Sequence, residues 1–317
     1  MSFAFVFAGQ GSQSVGMLGA LAAAEPVVGA TFEEASQVLG YDLWKLVSEG
    51  PEAALNATER TQPAMLAAGT ATWRVWRARG GDLPALMAGH SLGEFTALVC
   101  AEALGFGAAI ELVRFRGRVM QEAVPAGSGA MAAILGLDDE AVIGVCLEAA
   151  RGAVVEPVNF NSPGQVVIAG EVAAVTRAME AARVRGAKRV LTLPVSVPSH
   201  SSLMRGAGVR LQEHLARLDV RPPRIRYLSA VDARAHAQPD DIRALLVRQL
   251  SSPVRWTDTL RAVSAGDVAQ VIECSPGKVL TGLNRRIERR TGLSFLAIED
   301  PASIDAALAA TKGQAHA

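Results

Sequence analysis

Met87-Ala88-Gly89-His90-Ser91-Leu92-Gly93-Glu94-Phe95 is the stretch around which the chain is organised. The apolar run Leu83 to Ala88 predicts a short buried strand and Leu92 to Ala103 predicts a helix. Gly-His-Ser-Leu-Gly then falls on the turn between them, in the G-x-S-x-G pattern of a nucleophile elbow. A strand that reverses into a helix within a few residues needs positive φ or close backbone approach, which glycine allows cheaply. Ser91 is expected at a helix N-terminus, where free N–H groups and the helix dipole favour developing negative charge. With 30 glycines in the chain the pattern also arises by chance, so a structural turn serine is the competing reading.

At 317 residues the chain can bury a sizeable core as one large domain or two. Half of the residues are hydrophobic, and no apolar run approaches the roughly 18 residues of a membrane span, so no membrane association is expected. The 31 basic residues balance 31 acidic ones, which argues against nucleic acid as the main partner. Cys100, Cys146 and Cys274 are scattered among apolar neighbours, as for buried thiols in a reducing, cytoplasmic setting. Met1-Ser2-Phe3-Ala4-Phe5 lacks a basic segment before its apolar residues and reads as a strand, not an export signal.

Phe3 to Phe7 runs into the Gly-rich turn Ala8-Gly9-Gln10-Gly11-Ser12-Gln13, which is either an ordinary strand-to-helix turn or half of an oxyanion hole. Helices are expected over Pro26 to Leu39, Leu43 to Glu49 and Thr61 to Arg79. In the helix Gly107 to Val124, Ile110, Leu112, Val113, Phe115, Val119 and Met120 share one arc, and Arg116 falls in its middle. A guanidinium there must snorkel or find an anion, so Arg116 is either a structural ion-pair partner or a carboxylate-binding group left open for a ligand.

From 126 to 196 the order is strand, helix, strand, strand, helix, strand, that of a ferredoxin-like unit. This predicts a small domain, 126–196, inserted into a large one made of 1–125 and 197–317. After it comes Ser196-Val197-Pro198-Ser199-His200, which places His200 in a loop at the junction. His214 on a charged helix, His236 in a polar loop, His316 in the tail and His90 within the elbow are weaker candidates for a base. Leu203 to Leu218 is read as a helix, Ile225 to Ser229 as a strand, and the residues from about Lys312 as disordered. The alternation on both sides of the insert implies an α/β fold, a mostly parallel sheet covered by helices. No metal-spacing cluster appears.

Together Gly9-Gln10-Gly11-Ser12-Gln13, Gly89-His90-Ser91-Leu92-Gly93-Glu94, Arg116-Gly117-Arg118-Val119-Met120-Gln121-Glu122-Ala123, Asn159-Phe160-Asn161-Ser162-Pro163-Gly164-Gln165, Val195 to His200 and Pro276-Gly277-Lys278-Val279-Leu280 resemble the malonyl-CoA:acyl carrier protein transacylase family, in family order. Two departures stand out: Ala8 occupies a position where proline is common, and Cys274-Ser275 replaces a more usual residue plus glycine.

The resemblance implies an α/β-hydrolase-like core and a reaction without a cofactor, with malonyl-CoA, CoA and acyl carrier protein as partners of a single chain. It implies Ser91 as nucleophile and His200 as its base, oriented by the main-chain carbonyl of Gln249 and not by an aspartate. Backbone N–H groups of Gln10 and Leu92 would hold the oxyanion and Arg116 the malonyl carboxylate, with Met120 and Asn161 beside the substrate. A serine thioesterase or lipase would share the elbow but predicts a histidine near the C-terminus and an acyl pocket without a central arginine. An inactive carrier-presenting homologue, or an acyltransferase serving polyketide synthesis or another malonate-using enzyme, are the other readings.

Overall fold

The computed structural model describes residues 2–195 and 197–312. Ser196, and the tail after Lys312 with its expected disorder and His316, lie outside the described residues.

The strand β1 (Ser2–Phe7) is buried along nearly its whole length, which explains its unbroken apolar run in place of an alternating one. It lies between β2 (Leu86–Gly89) and a late strand, Val268–Glu273, in a six-stranded sheet. Numbering the remaining strands in chain order gives β3 (Gly129–Leu135), β4 (Val155–Ser162), β5 (Gln165–Glu171), β6 (Arg189–Thr192), β7 (Arg226–Ser229), β8 (Arg234–His236), β9 (Val268–Glu273) and β10 (Ser294–Ala297). The large sheet has the order β10-β9-β1-β2-β7-β8, parallel except at the β7–β8 pair. Phe5 packs edge-on against Trp73 and Trp76 of the helix Thr58–Ala78, with ring centroids 5.6 and 5.2 Å away. Such pairs add about 1 kcal/mol each to the burial of the rings.

The chain starts at the sheet centre, moves outward through β2, β7 and β8, then returns to the other side of β1. The loops leaving β1, β2 and β9 therefore emerge side by side at the carboxyl edge, where ligands of open α/β sheets bind.

The second sheet has the antiparallel order β4-β5-β3-β6, the ferredoxin-like arrangement. Helices Asp139–Ala150 and Val172–Val184 cover one face, burying Ile134, Val142, Ile168 and Val175. Its other face carries Met131, Ala133, Val158, Val167 and Ala169. β4 is tied to the large unit by Phe160 N–H to Val254 O (2.9 Å) and Val254 N–H to Val158 O (2.8 Å).

Several boundaries differ from the sequence reading. β2 begins at Leu86, and Leu83 is 57 % exposed, so its apolar side chain is no guide to the strand. The last strand of the insert, expected over Arg189 to Val195, stops at Thr192. The helix expected from Leu203 opens as a 3₁₀ turn, Ser202–Met204, and continues as Arg205–Leu215. His236 ends the short edge strand β8 and is not in a loop; its ring faces Asp232 at 3.0 Å. Two short helices, Gly19–Ala24 and Glu52–Leu55, have too few turns to show a period.

Candidate active site

The elbow is a close crossing of backbones. A Cβ on Gly89 would lie 2.0 Å from the Gly93 carbonyl carbon, one on Gly93 would lie 2.0 Å from Phe7 O, and one on Gly9 would lie 2.5 Å from His90 O. Three glycines let the end of β1, the turn and the following helix (Gly93–Cys100) touch with no side chain between them. Ser91 itself sits at φ 51°, a left-handed conformation that costs a non-glycine residue roughly 1–3 kcal/mol and is held by the turn around it.

Ser91 Oγ is 2.8 Å from His200 Nε2, and His200 Nδ1 is 2.7 Å from the main-chain oxygen of Gln249. A carbonyl oxygen can only accept, so Nδ1 carries the proton and Nε2 accepts from the serine hydroxyl. His200 is also left-handed, at φ 67°, and nearly fully buried. Burial first, and then the charge of Arg116, push its pKa down to about 3, so the imidazole is neutral and available as a base near neutral pH.

Arg116 lies on the helix Phe106–Gln121 and is 1 % exposed. Its Nη1 donates to Gln62 Oε1 (2.8 Å), its Nη2 to Gln249 Oε1 (2.9 Å), and its guanidinium sits 5.3 Å from the centre of the Phe95 ring. Nε has no partner among the described residues. Burial draws its pKa down to about 10, which still leaves it cationic. The structure thus surrounds a buried cation with neutral amides and a ring, with no carboxylate in direct contact among the described residues. The ion pair that the structural reading of Arg116 called for is not formed by direct contact among the described residues; the acid whose charge acts on it, Glu94, does not touch it.

These groups line one cleft of about 320 Å³ between the carboxyl edge of the large sheet and the insert. Ser91, His200, Arg116, Gln10, Leu92 and Met120 all reach it, and Met131, Leu193 and Val197 form an apolar wall. The N–H groups of Gln10 and Leu92 donate to no acceptor among the described residues. The Gln10 amide reaches Thr58 Oγ1 at 3.4 Å. Asn161 is placed differently from the sequence expectation: it is buried behind the cleft, where His90 Nε2 donates to its Oδ1 (2.8 Å), and Asn159 lines the cleft instead. Register shifts around Asn159 and Phe160 in β4 separate two residues that simple alternation would put on one face.

A family model described as acyl transferase domain matches residues 4–294. The malonyl CoA-acyl carrier protein transacylases of Salmonella typhimurium and Escherichia coli are each 54 % identical over 306 residues, covering 96 % of this chain and 98 % of theirs. This chain belongs to the malonyl-CoA:acyl carrier protein transacylase family. Among solved members of that transacylase family, an acyl carrier protein S-malonyltransferase from Vibrio cholerae is 56 % identical with a TM-score of 0.93, over 97 % of this chain and all (100 %) of that one. A malonyl-transacylase in complex with its type II PKS acyl-carrier protein is 54 % identical with a TM-score of 0.95, over 97 % and 99 % of the two chains.

Three parts of this transacylase-family site went unread in the sequence. Gln62 is one amide in the buried helix Thr58–Ala78, and its position beside Pro63 hides it as a helix-start residue. The resemblance gives a role only to the carbonyl of Gln249, yet its side chain joins the site as well: Oε1 accepts from Arg116, and Nε2 donates to Ser91 O (3.1 Å) and Glu94 Oε2. Glu94, in the first turn after the elbow, reads as an ordinary helix-dipole partner, yet it is wholly buried. A charged residue inside an otherwise apolar helix was the available signal.

Proposed function

We propose that this chain moves the malonyl group from malonyl-CoA to the phosphopantetheine thiol of acyl carrier protein through a malonyl-serine, supplying fatty acid synthesis. His200 Nε2 takes the proton as Ser91 Oγ attacks the thioester carbon. The oxyanion forms between the N–H groups of Gln10 and Leu92, and the C–S bond then breaks with the proton delivered to the CoA sulfur. In the second half the carrier thiol gives its proton to His200, its sulfur attacks the serine ester, and the proton returns to Ser91 Oγ. No cofactor enters either half. The ring keeps one tautomer throughout, because Nδ1–H stays on the Gln249 carbonyl.

The observation that carries this reading is the buried, cationic Arg116 lining the same cleft as the Ser91–His200 pair. A free carboxylate on the acyl group would complete its hydrogen bonds as a charge-assisted pair, whereas an acetyl group leaves it unmatched. That difference is worth about 3 kcal/mol, a factor on the order of 10² in kcat/KM. The same arginine weighs against a thioesterase with an apolar acyl pocket, and the formed Ser91–His200 contact against an inactive homologue.

The insert, taken as 126–196, supplies Met131 and Leu193 of the apolar cleft wall that would keep water from the ester. Two exposed basic clusters could meet an acidic carrier or CoA phosphates: Arg183, Arg185, Lys188 and Arg189, of which Arg185 pairs with Glu148, and Arg285, Arg286, Arg289 and Arg290, of which Arg285, Arg286 and Arg290 donate to acceptors of this chain. The first keeps three cations without a side-chain partner among the described residues and is the better match. A second pathway reading, polyketide synthesis, is favoured by the solved relative bound to a type II PKS carrier.

The test is transfer from malonyl-, methylmalonyl- and acetyl-CoA to purified fatty acid and polyketide carriers, with mass detection of acylated Ser91. Arg116→Ala should lower malonyl kcat/KM by on the order of 10² and erase the preference over acetyl-CoA. Full malonyl preference in that variant would overturn the assignment.

A further inference from the structure

Glu94 is wholly buried one turn beyond Ser91. The Tyr227 hydroxyl donates to its Oε1 and the Gln249 amide to its Oε2. Both oxygens accept, the pattern of an ionised carboxylate. Burial raises its pKa above the ordinary carboxylate range, and those donors and the charge of Arg116 hold the rise back. Glu94 is the acidic group whose charge acts on Arg116, but the two do not touch, because the Gln249 amide stands between them. That amide has one workable orientation. Its NH₂ faces two acceptors, Glu94 Oε2 and Ser91 O, and its oxygen faces the guanidinium.

We propose that Glu94 is a positioning residue that tempers the grip of Arg116: a fixed negative charge, held off by one amide, keeps the arginine cationic and aimed while weakening its hold on the acyl carboxylate. The inference rests on the proposed role of Arg116. Its chemical logic is that the malonyl group must be released as well as captured. A buried guanidinium without a nearby counter-charge binds a carboxylate more tightly, and would retain the malonyl group on the enzyme. Glu94→Gln removes the charge while its amide can still accept from Gln249 and donate to the Tyr227 oxygen. Glu94→Asp retains the charge but withdraws it by one methylene.

The experiment measures malonyl-CoA and acetyl-CoA dissociation constants by calorimetry in Ser91→Ala protein, where no acyl transfer occurs, and kcat and KM in the Ser91 protein. Glu94→Gln should tighten malonyl-CoA roughly three- to thirty-fold with acetyl-CoA unchanged, and should lower kcat together with KM. Glu94→Asp should fall between Gln and the native residue, and decides the matter alone if the Gln variant does not fold. Unchanged or weaker malonyl-CoA binding would mean that Glu94 serves only as scaffold, and would overturn the proposal. Arg116→Ala, run alongside, separates the two readings. If it leaves malonyl-CoA affinity intact, the arginine assignment has failed; if it abolishes the malonyl advantage while Glu94→Gln brings no tightening, only the present inference has.

Discussion

His200 concentrates the chemistry of the site in one ring. Its Nδ1–H is fixed on a main-chain carbonyl, which cannot titrate, so the orientation of the base does not depend on a second acid. Its pKa of about 3, against 6.5 for a free imidazole, sets two expectations. The acid limb of kcat/KM should lie well below pH 6.5, and Arg116→Gln should move it upward by removing the cation that contributes to the shift. A limb at pH 6.5 that ignores Arg116 would contradict this. For stability, the unfolded state binds the extra proton between about pH 6.5 and 3 while the folded state does not. The contribution of this group therefore falls as pH drops through that window, by at most about 5 kcal/mol. Urea unfolding at pH 7 and 4.5 should show His200→Gln gaining on the native chain at the lower pH; an equal difference at both would remove the argument. The serine, histidine and arginine were legible as chemical types at telling places. Gln62, Gln249 and Glu94 were not, because their roles come from contacts between residues 54, 133 and 155 positions apart.

At the level of elements, the strand ends at the carboxyl edge carry the least obvious connection. The two departures from the family pattern, Ala8 and Ser275, are 267 residues apart and meet: the Ala8 N–H donates to Ser275 Oγ at 3.1 Å in a buried setting. A proline at position 8 has no N–H and a glycine at 275 no hydroxyl, so each pairing, Ala with Ser or Pro with Gly, leaves no orphaned donor. No single-position reading could show that one departure compensates the other. Ser275→Gly alone strands the N–H and should cost about 1–3 kcal/mol. Because Gln10 lies two residues beyond Ala8, the same variant should slow malonyl-serine formation. Phe7 is extended, as a residue before proline requires, so Ala8→Pro with Ser275→Gly should be at least about 1 kcal/mol more stable than the sum of the single changes. Additive unfolding energies would show that the hydrogen bond contributes nothing. The elements themselves were readable where the pattern was long, as in β1 and the helix of Arg116. Leu83, the 3₁₀ turn at Ser202–Met204 and the edge strand β8 were not, since exposure and sheet position override local composition there.

Over the whole molecule, two sheets with separate cores share one cleft, and catalysis depends on how firmly they are held together. The order of strands and helices made the second, four-stranded sheet legible, but the contacts that fasten it to the first are not written in any periodicity. They include β4 against Val254, Thr257 Oγ1 to Phe160 O (3.2 Å), Ser202 N–H to Glu156 Oε2 (2.7 Å), Arg286 Nη1 to Gln165 Oε1 (2.8 Å) and the His90–Asn161 bond. The His90–Asn161 bond is the one that reaches the elbow, since His90 adjoins Ser91. A malonyl-serine survives to meet a carrier only while the apolar wall of the insert stays closed over it. Asn161→Ala removes the link without touching the cleft lining. It should lower the melting temperature by a few degrees, about what one buried hydrogen bond is worth in a chain of this size. It should also raise hydrolysis of the isolated malonyl-enzyme relative to transfer by roughly three- to ten-fold, the range expected for about 1 kcal/mol lost from closure. Single-turnover assays that follow free malonate and malonyl-carrier together would measure that ratio. If it stays at the native value while the melting temperature falls, the bond stabilises the fold but does not govern the seal.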